Sequence, residues 1–341
     1  MNGHIAITGS GLVTPVGNDS ASSCAAIRCS IDNVQDSVFT DEAGEPIGAC
    51  MTALDASCQG EARLVRLLVS ALQQCLNADK SIDIEHTPLI LCLPTRDRPG
   101  RPIANDDDFL SAIQQELGRP FSGLSRILSH GHVSVAVALR LARQMLHESD
   151  TRIKHLLIAS ADSLINQKDL SEYETQDRLL TSCHSDGFIP GEAGAALVVE
   201  RTSDSPQAMH CLGLGFSMEP APILSGKPCR ADGLTTAIRG ALEEAQIPMQ
   251  EMAYRLTDIS GEHYDFREAA LALSHTLRVQ RDEFDLLHPA DCVGDTGASL
   301  GLILLAYQRM MFLVQPPRLP QVLVHLGDDD GKRAAIVLGS G

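Results

Sequence analysis

Apolar positions in this chain recur with two periods, and the alternation of those periods predicts an α/β protein. Short continuous apolar runs at 4–8, 89–93, 156–159, 195–200, 211–216, 256–259, 321–326 and 334–338 read as strands buried on both faces. Between them, apolar residues at helical spacing predict helices over 64–76, 133–146, 233–245, 266–276 and 297–310, with a shorter one over 19–29. Gly9, Gly11, Pro15 and Gly17 take the first strand into a tight turn, Pro94 ends the second, and the polar stretch 96–108, with Pro99 and Pro102, reads as loop.

Strands that alternate with helices imply mainly parallel sheet with right-handed crossovers. The rhythm occurs twice. It divides the chain into halves of residues 1–200 and 201–341, which together form one compact unit joined around 200–230, where Pro206, Pro220, Pro222 and Pro228 punctuate the sequence. The repetition lies in the order of elements and not in residue identity.

Composition narrows the function. Hydrophobic residues make up 44% of the 341, but aromatics only 4% with no Trp, so the core must be built from Leu, Ile, Val and Ala. A net charge of −17 argues against nucleic acid, whose phosphates require a basic surface, and against an anionic membrane. The ten cysteines include no CxxC pair and read as reduced thiols. The chain starts without a basic segment and apolar run, and no stretch of about 18 apolar residues is evident. A cytoplasmic protein without metal or cofactor is expected.

Four segments carry a family resemblance. Ile5-Ala6-Ile7-Thr8-Gly9-Ser10-Gly11-Leu12-Val13-Thr14-Pro15-Val16-Gly17 resembles VITG-x-G-x-VTP-x-G, and Ala159-Ser160-Ala161-Asp162-Ser163 resembles AGG-x-E/D-S. Asp186-Gly187-Phe188-Ile189-Pro190-Gly191-Glu192-Ala193-Gly194 resembles DGF-x-x-GEGAG, and Gly294 and Gly297 before a helix resemble GH-x-x-GAAG. These are motifs of the β-ketoacyl-acyl-carrier-protein synthases of the thiolase superfamily. The resemblance implies a duplicated thiolase-like fold, five layers αβαβα with two mixed, mainly parallel sheets.

The family's chemistry needs a nucleophilic Cys at a helix N-terminus, two histidines, a lysine and a flexible glycine-rich gate. Registering Arg140-Leu141-Ala142-Arg143 on the family's helix places Leu128 at the Cys position, and a leucine forms no acyl-enzyme. A register shifted by one places Ser129 there instead. Ser129 with His130 and His132 admits two readings, a replacement nucleophile with its base or a helix cap with solvent-facing histidines. His263 lies near the first family histidine, with Glu262 fitting almost as well. Asp291 stands at the second, with His288 three residues upstream. Asp329, within Asp328-Asp329-Asp330, takes the place of the gating Phe, and the three carboxylates read either as a Ca²⁺ or Mg²⁺ site or as a solvated turn. Cys183 and Cys292 are the thiols to ask about as relocated nucleophiles.

A scaffold kept while its catalytic positions change is the pattern of a non-catalytic homologue. The expected role is a binding or assembly partner, either a chain-length-factor-like subunit or an accessory protein of a bacterial secretion or biosynthetic cluster. The alternative is an active acyltransferase or β-ketoacyl synthase using Ser129, His263 and His288. Expected partners are a second copy or a ketosynthase-like protein joined edge to edge through the strand near 89–94, with an acyl carrier protein or a secretion effector or adaptor as further candidates.

Overall fold

In the computed structural model, which describes residues 3–55, 57–147, 153–201, 208–316 and 318–340, the two halves build sheets of the same design. The first half runs β1 (Ile5–Val13), α1 (Ser20–Arg28), a hairpin of β2 (Val34–Thr40) and β3 (Pro46–Cys50), α2 (Gly60–Ala78), β4 (Leu89–Leu93) and α3 (Asp106–Leu117). It continues through β5 (Arg126–Ser129), α4 (Ser134–His147), β6 (His155–Ser163), α5 (Gln167–Thr175) and β7 (Glu192–Arg201). The second half contains β8 (Met209–Met218), α6 (Asp232–Ala245), β9 (Met252–Thr257), α7 (His263–Thr276) and β10 (Leu286–Leu287). It closes with α8 (Ala290–Val293), α9 (Leu300–Val314), β11 (Gln321–Gly327) and β12 (Lys332–Ser340). Pro206, expected at the joint, lies outside the described residues.

The ladder order is β10-β9-β11-β12-β8-β1-β7-β6-β4-β5. Numbered within each half, both sets of five strands follow 3-2-4-5-1 with the fifth reversed, so four strands of each set point the same way. The repeat that residue identities conceal is explicit in this topology. The sets touch through a short ladder in which Ile5–Ile7 of β1 pairs with Met209–Cys211 of β8.

Three apolar clusters make the five layers. One joins α2 and α3 to the outer face of the first sheet, through residues such as Leu68, Phe109 and Leu157. Another joins α6 and α7 to the outer face of the second sheet, through Ile238, Ala272 and Val337. The largest lies between the sheets around α4 and α9, with Leu139, Leu304, Ile158 and Ile336. The segment Gly297–Val314 is apolar enough by length and composition to cross a bilayer, contrary to expectation, but 78% of it is buried in this central layer.

Sequence periodicity located the central elements and missed peripheral ones. The hairpin of β2 and β3, the short strand β5 and helix α5 have little apolar signal. Helix α3 begins inside the stretch expected to be loop because Asn105 caps it, accepting from the Asp107 and Asp108 amides. The proposed edge strand requires correction. Leu89–Leu93 pairs with β6 on one side and β5 on the other, and every residue in it is buried. An uninterrupted apolar run marks an interior strand, covered on both faces, whereas an edge strand is the half-buried β5.

The strongest motif of the sequence sits where segments crowd. A Cβ on Gly191 would stand 2.4 Å from the Val293 carbonyl oxygen, and one on Gly194 2.4 Å from that of Leu67. Glu192 between them is buried and receives Arg63 at 2.6 Å together with the Thr52 amide at 2.9 Å. Gly194→Ala therefore pushes α2 off β7, and an expected loss of about 1–3 kcal/mol would be read from urea-unfolding midpoints.

Candidate functional site

Helix α4 is preceded by a 3₁₀ turn over Gly131–Val133 that directs its first residues toward the second half. Gly131 has φ +57°, and a Cβ there would lie 2.0 Å from Oδ2 of Asp328, so both the backbone angle and the space require glycine. Oδ2 of Asp328 accepts the His132 amide at 3.0 Å, which places a carboxylate from the β11–β12 turn on the N-terminus of the helix.

The His132 side chain points into the same region. Its Nε2 donates to Oδ1 of Asp295 at 2.8 Å, and its Nδ1 lies 3.7 Å from Oδ2 of Asp328. Burial works against the charge on this ring, but the Asp295 and Asp328 carboxylates outweigh it and hold the imidazole protonated well above the ordinary histidine range. Asp295, pushed up by burial and pulled down by His132, ends below the usual carboxylate value. The Gly297 amide also donates to Oδ1 of Asp295 at 2.8 Å, and the Ser260 hydroxyl lies 3.4 Å from Oδ2. An imidazolium held between carboxylates has no lone pair to offer as nucleophile or base.

Arg178 completes the arrangement. Its guanidinium is bidentate to Glu262 at 2.8 Å and bidentate to Asp329 at 2.8 and 2.9 Å. It is 8% exposed and lies against the rings of Tyr173 and Phe188, the Phe of the Asp-Gly-Phe motif. Asp328, Asp329 and Asp330 each take a separate partner, namely the start of α4, Arg178 and Lys332. Asp329 and Asp330 are exposed to solvent at the turn, whereas Asp328 is partly buried against the start of α4. Among the described residues no three His, Cys, Asp or Glu side chains stand together at metal-binding range.

Farther out, Arg98 pairs with Asp162 at 2.8 Å and Asp169 at 3.2 Å, all nearly buried, and the Ala298 amide donates to Oδ2 of Asp162. The Asp162 of the Ala-Asp-Ser strand exit thus supports the start of α9. Two cavities flank the site, an inner one of about 50 Å³ and an outer one of about 300 Å³, and both reach His132, Asp328 and Asp329.

Of the positions picked from the sequence, His132, Glu262, Asp328 and Asp329 stand in this cluster. Leu128 lies inside β5 and packs partly buried on the central core, upstream of the helix start. Ser129 ends β5 with its hydroxyl 3.4 Å from Asp106 and has no histidine partner among the described residues. His263 is 83% exposed and paired with Asp186, while the preceding Glu262 is the residue that faces inward. His288 and Asp291 pair at 2.9 Å beside a separate cavity under β10. Cys292 borders that cavity too, its thiol pushed up by burial to about 11, and Cys183 is exposed. The convergence of Leu128, His263, Asp291 and Asp329 is therefore replaced by that of His132, Asp295, Asp328 and Arg178.

No protein-family model and no curated protein sequence matches the chain. Solved structures do. The type II polyketide synthase complex AntDE:AntF, an acyl-carrier protein with its ketosynthase bound to the hexaketide, is similar at TM-score 0.79 and 14% identity, covering 100% of both chains. The ishigamide ketosynthase/chain length factor has TM-score 0.79 and 15% identity over 100% of both chains. The ketosynthase ApeO in complex with its chain length factor ApeC from Xenorhabdus doucetiae has TM-score 0.75 and 15% identity, over 99% of this chain and 98% of that one. The protein has the thiolase-like fold of ketosynthases and chain length factors.

Two predictions follow from the electrostatics. Burial pushes Asp258 up to about 6 and, against the pull of Arg333, Glu268 to about 7. Unfolded carboxylates titrate near 4, so between about pH 4 and pH 7 the folded protein holds protons that the unfolded chain has lost, and stability falls as pH rises. His132, raised above its unfolded value, adds the same sign above about pH 6.5. Unfolding midpoints should be higher near pH 5.5 than near pH 8, with a shallower slope in Glu268→Gln. Arg178→Met leaves Glu262 buried without its cation, and chemical denaturation should show a loss of about 3–5 kcal/mol.

Proposed function

We propose that this protein is a non-catalytic ketosynthase-like subunit that serves as a binding and assembly partner, in the manner of a chain length factor. One observation carries this reading. The helix start where a condensing enzyme of this fold needs a thiolate presents His132, held as an imidazolium between Asp295 and Asp328. The backbone donor beside it is already given to Asp328. An incoming thioester oxygen would have to displace an internal carboxylate, and a malonyl anion would enter among Asp295, Asp328 and Asp329. Similarity to ketosynthase and chain length factor complexes supports the assembly role.

The partner is a ketosynthase-like protein, or a second copy, that adds to the first sheet at β5. This strand is the outer member of the ladder, and beyond it the sheet has no further strand among the described residues. Its four residues are partly exposed, as an edge awaiting another chain would be. The net charge of −17 gives an acidic acyl carrier protein no general attraction to this subunit, which leaves carrier docking to the partner.

Intact-mass spectrometry after incubation with acetyl and malonyl thioesters of coenzyme A and of acyl carrier protein should find no adduct. An acyl group on the wild type that is lost in Ser129→Ala would identify an acyltransferase and refute the proposal. Light scattering should find a dimer, or a monomer that becomes a dimer when a ketosynthase from the same source is added.

A further inference from the structure

The inner cavity is lined by seven carboxylates and three cations, Arg178, Arg333 and His132. Each cation is committed. Arg178 serves Glu262 and Asp329, His132 serves Asp295 and Asp328, and Arg333 serves Glu268 at 2.9 Å. Among the described residues Asp258 and Asp265 form no ion pair, and His132 and Arg333 act on them only at longer range. Asp258 accepts from the Gly327 amide at 3.0 Å and, at 3.4 Å, from the Thr257 hydroxyl.

A third group on the same wall lacks a partner on one side. His325, in β11, is 2% exposed and meets the Thr257 hydroxyl through Nδ1 at 3.1 Å, but its Nε2 has no hydrogen-bond partner among the described residues. Burial, with Arg255 and Arg333 adding to it, keeps this ring neutral, and because the Thr257 hydroxyl gives its hydrogen to Asp258, Nδ1 carries the ring proton and Nε2 the lone pair. A buried imidazole nitrogen left empty costs free energy, which an occupant would recover.

The occupant must be positive and small enough for about 50 Å³. A metal ion would need ligands drawn in to about 2.0–2.6 Å, and no three side chains are so grouped among the described residues. A cation that binds through N–H donors works at longer range, about 2.7–3.2 Å between heavy atoms. We propose that the inner cavity is a receptor for a primary ammonium group, whose three N–H donors meet Asp258, Asp265 and Nε2 of His325. The ligand is a small alkylamine or the side-chain end of a lysine, and binding proceeds without covalent change.

The test follows thermal unfolding of the full chain at constant ionic strength in methylammonium, sodium and tetramethylammonium chlorides. Methylammonium should raise the midpoint with saturation and should shift the ¹⁵N resonance of His325 Nε2. Sodium and tetramethylammonium, which have no N–H donor, should do neither. In Asp265→Asn the saturable effect should disappear, while Asp282→Asn, an exposed site outside the cavity, should keep it. Nα-acetyl-lysine methylamide separates the sources, because competition with methylammonium identifies a lysine side chain and failure to compete identifies a free small amine. Equal responses to the three salts, an unmoved Nε2 resonance in the wild type, or an undiminished effect in Asp265→Asn would overturn the proposal. None of these outcomes depends on whether acyl transfer occurs.

Discussion

A guanidinium taken out of water must be met by carboxylates, and Arg178 meets two of them, both contributed by the opposite half of the molecule. Glu262 precedes α7 and Asp329 lies in the β11–β12 turn, so this single side chain from the first half fixes the position of two segments of the second. The aromatic faces of Tyr173 and Phe188 keep the arginine dry and restrict where it can reach. The turn that Arg178 holds also carries Asp328, which occupies the start of α4 and flanks His132. Much of the site geometry therefore depends on one buried cation.

The arrangement underlies the non-catalytic role proposed above. A condensing site must keep a pocket with reactive groups held ready and a gate free to move. Here ion pairs within the chain surround His132, and the β11–β12 turn is tied at Asp328, Asp329 and Asp330 to three different partners. Charges used to join the halves are not available to a substrate. The excess of carboxylates over cations is a further consequence. It adds to the burial that raises the proton affinity of Asp258 and Glu268, and it underlies the cation proposed for the inner cavity.

The motifs retained from the resemblance prove to be structural. Gly191 and Gly194 allow backbone contacts, Glu192 binds Arg63, Asp162 binds Arg98 and supports α9, and Phe188 covers Arg178. They are the parts of the chain that hold sheets, helices and halves together. Their survival supports the fold and says little about activity.

The sequence by itself determined the class of fold. Short apolar runs such as 89–93 read as strands covered on both faces, and a helix such as 133–146 shows its apolar face through periodicity. Burial of one residue after another is a local property, legible without knowledge of neighbours. The site was not local. His132 and Asp295 are 163 positions apart, and Arg178 and Asp329 are 151 apart, so no spacing rule connects them. Short loops also hide register. Leu128 and His132 differ by one turn of chain, and only the tertiary structure decided which stands at the helix start and which remains in the strand. Strand order was undecidable for the same reason, because a run of apolar residues reveals its burial but not which strands lie beside it.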